Sequence, residues 1–158
     1  FLVHFVGDIH QPMHAVGEAR GGNDVKLPIF GSPQCGNYVC NLHWAWDGAL
    51  IDHSGYSEEQ YVQHVEELIR AKNLASRAGG TPAEWADESF RAAWKAWPPA
   101  GGSIDEAYYR ANIGVVDERL ALAGIRLAAM LNEALGTISP EQMKDDLART
   151  SGGSARLR

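Results

Sequence analysis

The stretch IDEAYYRANIGVVDERLALAGIRLAAMLNEAL, residues 104–135, decides the fold class. Its apolar residues Ile113, Val116, Leu120, Ala123, Leu127, Met130, Leu131 and Leu135 recur every three or four positions. That period marks one face of a helix, and Gly136 supplies the stop. Helical signals continue upstream. Thr81-Pro82-Ala83-Glu84 opens a helix that ends at Trp97-Pro98-Pro99. Ser57 to Gln60 form a capping box ahead of Tyr61, Val62, Val65, Leu68 and Ile69 at helical spacing. Leu42 to His53 reads as a short helix ending before Gly55, and Leu2 to Gln11 as a buried helix, apolar on most sides and ended by Pro12.

Residues 15–41 break this pattern with Gly17, Gly21-Gly22-Asn23, Pro28, Gly31-Ser32-Pro33 and Gly36-Asn37. Between these turn formers, Val25–Phe30 and Tyr38–Cys40 are expected to pair as a short, irregular hairpin. Ser139–Arg149 predicts one more short helix before a frayed Gly/Ser/Arg tail. The expectation is an all-α, multi-helix domain with one loop-rich insertion, residues 1–138 forming part of a single domain and 139–158 a helix and tail.

Length and composition agree. A chain of 158 residues with 45% hydrophobic content is one domain with a sizeable core. No apolar run approaches the roughly 20 residues that span a bilayer, and no signal peptide is visible. Phe1 stands where an initiator Met would, inside an apolar segment that lacks an N-cap, so a truncation upstream is expected. The formal charge is −6, with 20 acidic residues against 14 Lys and Arg. A duplex-binding protein shows a basic face; none is legible here beyond the Arg149 to Arg158 tail. A polyanionic substrate therefore needs bound cations to attract it. Cys35 and Cys40 share one loop. They read as a disulfide in an oxidising compartment, with free thiols or half of a zinc site as alternatives. No further cysteine exists to complete a four-thiolate site, which favours the disulfide.

The chemistry lies in a repeated spacing. His4-Phe5-Val6-Gly7-Asp8 and His43-Trp44-Ala45-Trp46-Asp47 are both His-x3-Asp. On a helix, residues four apart project from one face, one turn apart. With six histidines in the chain, chance supplies roughly one third of one such pair. His14 follows the first pair, and both pairs lie among apolar and aromatic residues, where ionisable groups need a partner or a metal. Either pair alone reads as an ion pair. The two together with His14 favour a metal, and a His/Asp set suits zinc better than calcium or magnesium.

The string His4-Phe5-Val6-Gly7-Asp8-Ile9-His10-Gln11-Pro12-Met13-His14, then Gly21-Gly22-Asn23, then Asn41-Leu42-His43-Trp44-Ala45-Trp46-Asp47, resembles the signature of the S1/P1 nucleases. Met13 replaces the usual Leu. Trp85 to Ser89 and Ala123 to Ala128 add to the likeness, which covers about residues 1–135. The resemblance implies a mostly helical, secreted or periplasmic enzyme with three zinc ions. Such an enzyme cleaves single-stranded DNA and RNA to 5′-mononucleotides, and in many cases also removes 3′-phosphates. By motif position, His4 and Asp8 would serve a close zinc pair, with Asp8 bridging and so catalytic. His14, His43 and Asp47 would hold the third zinc. Asn23 is a weaker candidate for orienting the site or a base. DNA, RNA and nucleotides are the implied partners; no membrane is expected, and a monomer is.

The family's remaining ligands, a Trp, two His and an Asp, lie upstream of this motif and are absent here. This segment alone is therefore expected to bind zinc poorly and to turn over slowly or not at all. Three rivals share features with this reading: a zinc-dependent phospholipase C with the same His/Asp spacing, a non-catalytic helical module, and another metallohydrolase with local likeness. His10 is expected to be a surface polar group, and His53 and His64 solvated. Trp46 and Trp85 are expected in the core, with Trp44 less firmly so.

Overall fold

A computed structural model of the chain describes residues 1–136. The expected helix at Ser139–Arg149 and the tail lie outside the described residues. The compact unit Phe1–Leu127 holds the core and the site. The architecture is α-helical, as its periodicity predicts. Among the described residues, six α-helices accompany one two-stranded hairpin: α1 (Leu2–His10), α2 (Leu42–Trp44), α3 (Leu50–Asp52), α4 (Glu58–Ala71), α5 (Pro82–Ala96) and α6 (Glu106–Gly136).

Local chemistry sets most boundaries. Ser57 and Gln60 cap α4 reciprocally, and Thr81 and Glu84 do the same for α5, whose first residue is Pro82. These boxes satisfy amide groups that the first helical turn cannot pair. Gln11 takes an extended backbone before Pro12 and ends α1. Trp97 does so before Pro98 and ends α5.

The insertion differs in register from expectation. Tyr38–Val39 pairs with Gln34–Cys35, across a tight turn with Gly36 at positive φ, and not with Val25–Phe30. A disulfide joins Cys35 to Cys40 around this hairpin. Residues 25–30 meet the expected partner segment only at its end, through Leu27 N to Cys40 O at 3.3 Å and a bridge from Lys26 to Asn41, and form a further bridge from Ile29 to Ile104. Phe30 N donates to Ile104 O at 2.7 Å, and Ile104 N donates to Pro28 O at 3.0 Å. The insertion is thus fastened to the segment leading into α6. Leu42 to Asp52 is helical throughout, but Ala45–Ala49 widens into a π-turn between α2 and α3.

Met13, Leu42, Leu50 and Ile104 fill the centre of the core, each contributing about 1.5–3 kcal/mol of apolar burial. Trp46 and Trp85 are buried as expected, while Trp44 is exposed. The Trp46 indole N–H donates to the Tyr108 hydroxyl, which donates to Ala96 O. Burial raises the Tyr108 hydroxyl to about 12.

Two expectations fail. Helix α1 is not buried on most sides: Val6 and His10 are covered, whereas Val3 is 65% and Phe5 63% exposed. Its inner face packs on α5, and no described element covers the outer one. On α6 the predicted stripe is only partly inward, because Leu120 is exposed. Asn112, Asp117, Arg119 and Arg126 are buried beside Val116 and Leu122. Polar partners make this face possible, and no buried side-chain polar atom among the described residues lacks one.

Candidate metal centre

The two His-x3-Asp units come together in space. His4 and Asp8 occupy adjacent turns of α1, with His4 Nε2 3.1 Å from Asp8 Oδ2. His43 sits in α2 and Asp47 in the π-turn; His43 Nε2 lies 3.4 Å from Asp47 Oδ2. His14, in the 3₁₀ turn Pro12–Ala15, joins them. Its Nδ1 is 3.5 Å from Asp8 Oδ1 and its Nε2 3.3 Å from Asp47 Oδ1. The five side chains thus form one continuous row. The rings of His14 and His43 stack with centroids 4.9 Å apart. Ligating atoms of His14, His43 and Asp47 all lie within 4.8 Å of one another, a span that one cation can bridge. His4 and Asp8 provide two further donors at the other end.

The donor chemistry fits a cation. Gly21 O accepts from His43 Nδ1 at 2.8 Å, so Nδ1 carries a proton and Nε2 is the atom turned toward the Asp47 carboxylate, where a lone pair would meet an acceptor. Two acceptors facing each other repel unless a cation stands between them. A carbonyl holding the far nitrogen of a ligating imidazole is the usual way to fix its tautomer. His14 has carboxylate oxygens beside both nitrogens, yet a neutral ring carries only one proton. This arrangement also needs a positive charge, from a metal or from the imidazolium.

Neighbouring backbone makes the approach possible. Gly21 and Gly22 have φ of +64° and +84°. A Cβ at Gly21 would lie 2.5 Å from Met13 O and 3.3 Å from His43 Nδ1, and one at Gly22 3.2 Å from Leu42. Glycine suits both counts. Asn23 donates Nδ2 to Arg20 O within this turn.

Gln11 is the residue whose part the spacing did not reveal. Its Nε2 donates to Asp47 Oδ1 at 2.7 Å, and its Oε1 accepts from Met13 N. It thereby orients a carboxylate 36 positions away. Its place within the motif was the one available signal. A cleft of about 470 Å³ lies over this row, with Phe5, Ile9 and Ala86 among its apolar walls. Contrary to the expectation of burial, it is open: His4 and Asp47 are exposed and His43 half-buried.

Three other histidines depart from expectation. His10 is 2% exposed; its Nδ1 donates to Val6 O, leaving Nε2 to accept from Arg126. Burial, then the nearby Arg119 and Arg126, lowers it to about 4. His64 contacts the buried Asp117 at 2.8 Å. His53 stacks on Phe30 and meets Glu106 at 3.0 Å. Helical periodicity carries no information about any of these long-range partners.

Fold and site together define a helical domain that gathers imidazoles and carboxylates from separate segments into one open, metal-competent cleft. The S1/P1 nuclease model matches residues 1–136, and the chain belongs to that family. Among its relatives, Endonuclease 3 of Arabidopsis thaliana is 31% identical over 153 residues, which is 84% of this chain and 49% of that protein. Endonuclease 2 of the same plant is 28% identical over 156 residues, covering 86% of this chain and 51% of that protein. Nuclease P1 of Penicillium citrinum is 28% identical over 160 residues, 87% of this chain and 57% of that protein. The chain spans about half the length of the curated relatives it matches.

Proposed function

We propose that this chain carries part of the centre of a zinc-dependent phosphodiesterase that hydrolyses single-stranded DNA and RNA to 5′-nucleotides and removes 3′-phosphates. The observation supporting it is the row of lone pairs and carboxylates from His4 to His43. His14, His43 and Asp47 would hold one zinc, and His4 and Asp8 would contribute ligands to a neighbouring site. Zinc suits imidazole and carboxylate donors. When bound, it supplies Lewis acidity toward phosphate oxygens and lowers the pKa of a coordinated water to about 7.

The chain's own residues do the rest. Gly21 O fixes the ring of His43, Gln11 fixes the carboxylate of Asp47, and Asp8 stands between His4 and His14 at the catalytic position. Asn23 is the candidate for contact with a base. The Cys35–Cys40 bridge supports an exported, oxidised setting, and no helix among the described residues is long and apolar enough to cross a membrane. We read the described residues as part of a single nuclease domain acting as a monomer.

The test uses the full-length protein. His43→Ala is expected to remove most activity on single-stranded DNA, and near wild-type rates would overturn the assignment. Hydrolysis of lecithin without nuclease activity would support a phospholipase instead. Absence of bound zinc on metal analysis would support a non-catalytic module.

A further inference from the structure

Helix α5 separates two depressions. Ala86 lines the metal cleft, whereas Glu88, Arg91, Ala92 and Lys95 line a second groove of about 810 Å³ against α6. At 3.6 residues per turn, that second set lies on the side of α5 facing away from Ala86. The groove is therefore distinct from the metal centre.

Its charge contrasts with that of the chain. The protein carries −6 overall, yet six of its 14 Lys and Arg residues line this groove: Lys72, Arg77, Arg91, Lys95, Arg110 and Arg119. Only two carboxylates, Glu88 and Glu118, line it with them. Several of these cations are engaged. Lys72 and Arg77 share Glu118, Arg110 pairs with Glu106, and the buried Arg119 pairs with Glu88. Arg91 and Lys95 are exposed, and among the described residues neither forms an ion pair with a carboxylate. Four positions apart on one helix, they stand about 6 Å apart along its axis. Trp97, Pro98 and Pro99 wall the groove at the end of α5, and Trp97 is half-buried with its ring 5.4 Å from that of Trp94.

We propose that this groove is a second, metal-independent binding site for the phosphodiester backbone of a single nucleic-acid strand. Arg91 and Lys95 contact successive phosphates, and Trp97 offers a face to a base. Cations that follow a backbone beside an aromatic platform are the shared device of sequence-tolerant single-strand binders. Lys72 and Arg77 also line the groove, where a phosphate competes with Glu118 for them. Such a site holds the strand outside the reacting cleft, which a chain of net negative charge otherwise repels. The choice of nucleic acid rests on the nuclease reading; the anion site itself rests on the groove.

The experiment measures binding of a fluorescent oligothymidylate to this chain in EDTA, which removes the metal contribution. Arg91→Glu and Lys95→Glu are each expected to weaken binding about fivefold or more, and to flatten the salt dependence by about 0.7 in slope for each phosphate no longer neutralised. Arg70→Glu is the control, an equal charge change on α4 outside the groove, and should alter affinity less than about twofold. Thermal melts verify that all three variants fold. Equal weakening by Arg70→Glu would mean diffuse attraction and overturn the site, as would unchanged binding in both groove variants. Thymidine monophosphate binding as tightly as the oligomer would overturn the strand assignment. Cleavage by the zinc-loaded full-length protein is measured separately, so failure of one reading leaves the other standing.

Discussion

Two clusters of charged side chains in this molecule follow opposite rules. In the candidate metal cleft, imidazoles and carboxylates stand partly open to solvent, with ring nitrogens turned toward carboxylate oxygens. Behind α1, Glu88 accepts from Arg119 at 2.7 Å and from Arg126 at 2.8 and 3.0 Å. Arg119 also donates to His10 O, Trp85 O and Ser89 Oγ. The two guanidinium groups of that cluster are buried and mutually satisfied, while the Glu88 carboxylate is half-buried at the edge of the α5–α6 groove. Hydrogen bonding from Arg126, followed by Arg119, holds the Glu88 carboxyl down at about 2 against the opposing effect of burial. Because Arg119 grips the carbonyl at the end of α1, this cluster also fixes the helix that carries His4 and Asp8. One set of charges is open to solvent, and the other holds in place the helix that carries part of it.

The sharpest way to break this contrast is to remove one member from each side. Glu88→Gln leaves two buried guanidinium groups without their counter-charge, and is expected to cost about 3–5 kcal/mol in denaturant unfolding. Asp47→Asn, in the open cleft and without metal, should change stability by less than about 1 kcal/mol. Equal effects would erase the distinction.

A second test reads metal affinity. Gln11→Ala frees the Asp47 carboxylate, and zinc binding by the full-length protein should weaken about 10–100-fold, with metal-free stability nearly unchanged. Unaltered zinc affinity would remove Gln11 from the site.

A third test reads a pH dependence, small over any single pH unit. The Glu88 carboxyl has its folded pKa below its ordinary value of 4.5. Its contribution to stability is therefore complete above that value, and is lost as pH falls from 4.5 toward 2. For one proton the loss is at most about 1.4 kcal/mol per pH unit. Melts of Glu88→Gln over the same range should lack this component, and an identical acid limb in both proteins would refute its origin in Glu88.

By itself the sequence determined what helix geometry and short loops dictate. The two capping boxes, the proline stops, the His-x3-Asp pairs on single turns and the neighbouring Cys35 and Cys40 are all relations within a few residues, where backbone geometry alone brings side chains together. Tertiary structure decided what depends on distant segments. His14 meets Asp47 across 33 positions and Arg126 meets His10 across 116. The same long-range packing buries His10, turns Leu120 outward and sets the cations of α5 opposite those of α6. Helical period assigns charged residues to the surface, and only packing against a specific partner overrides that assignment. Hence the candidate metal ligands were legible as spacing, whereas the Arg119–Glu88–Arg126 cluster that anchors α1 was not.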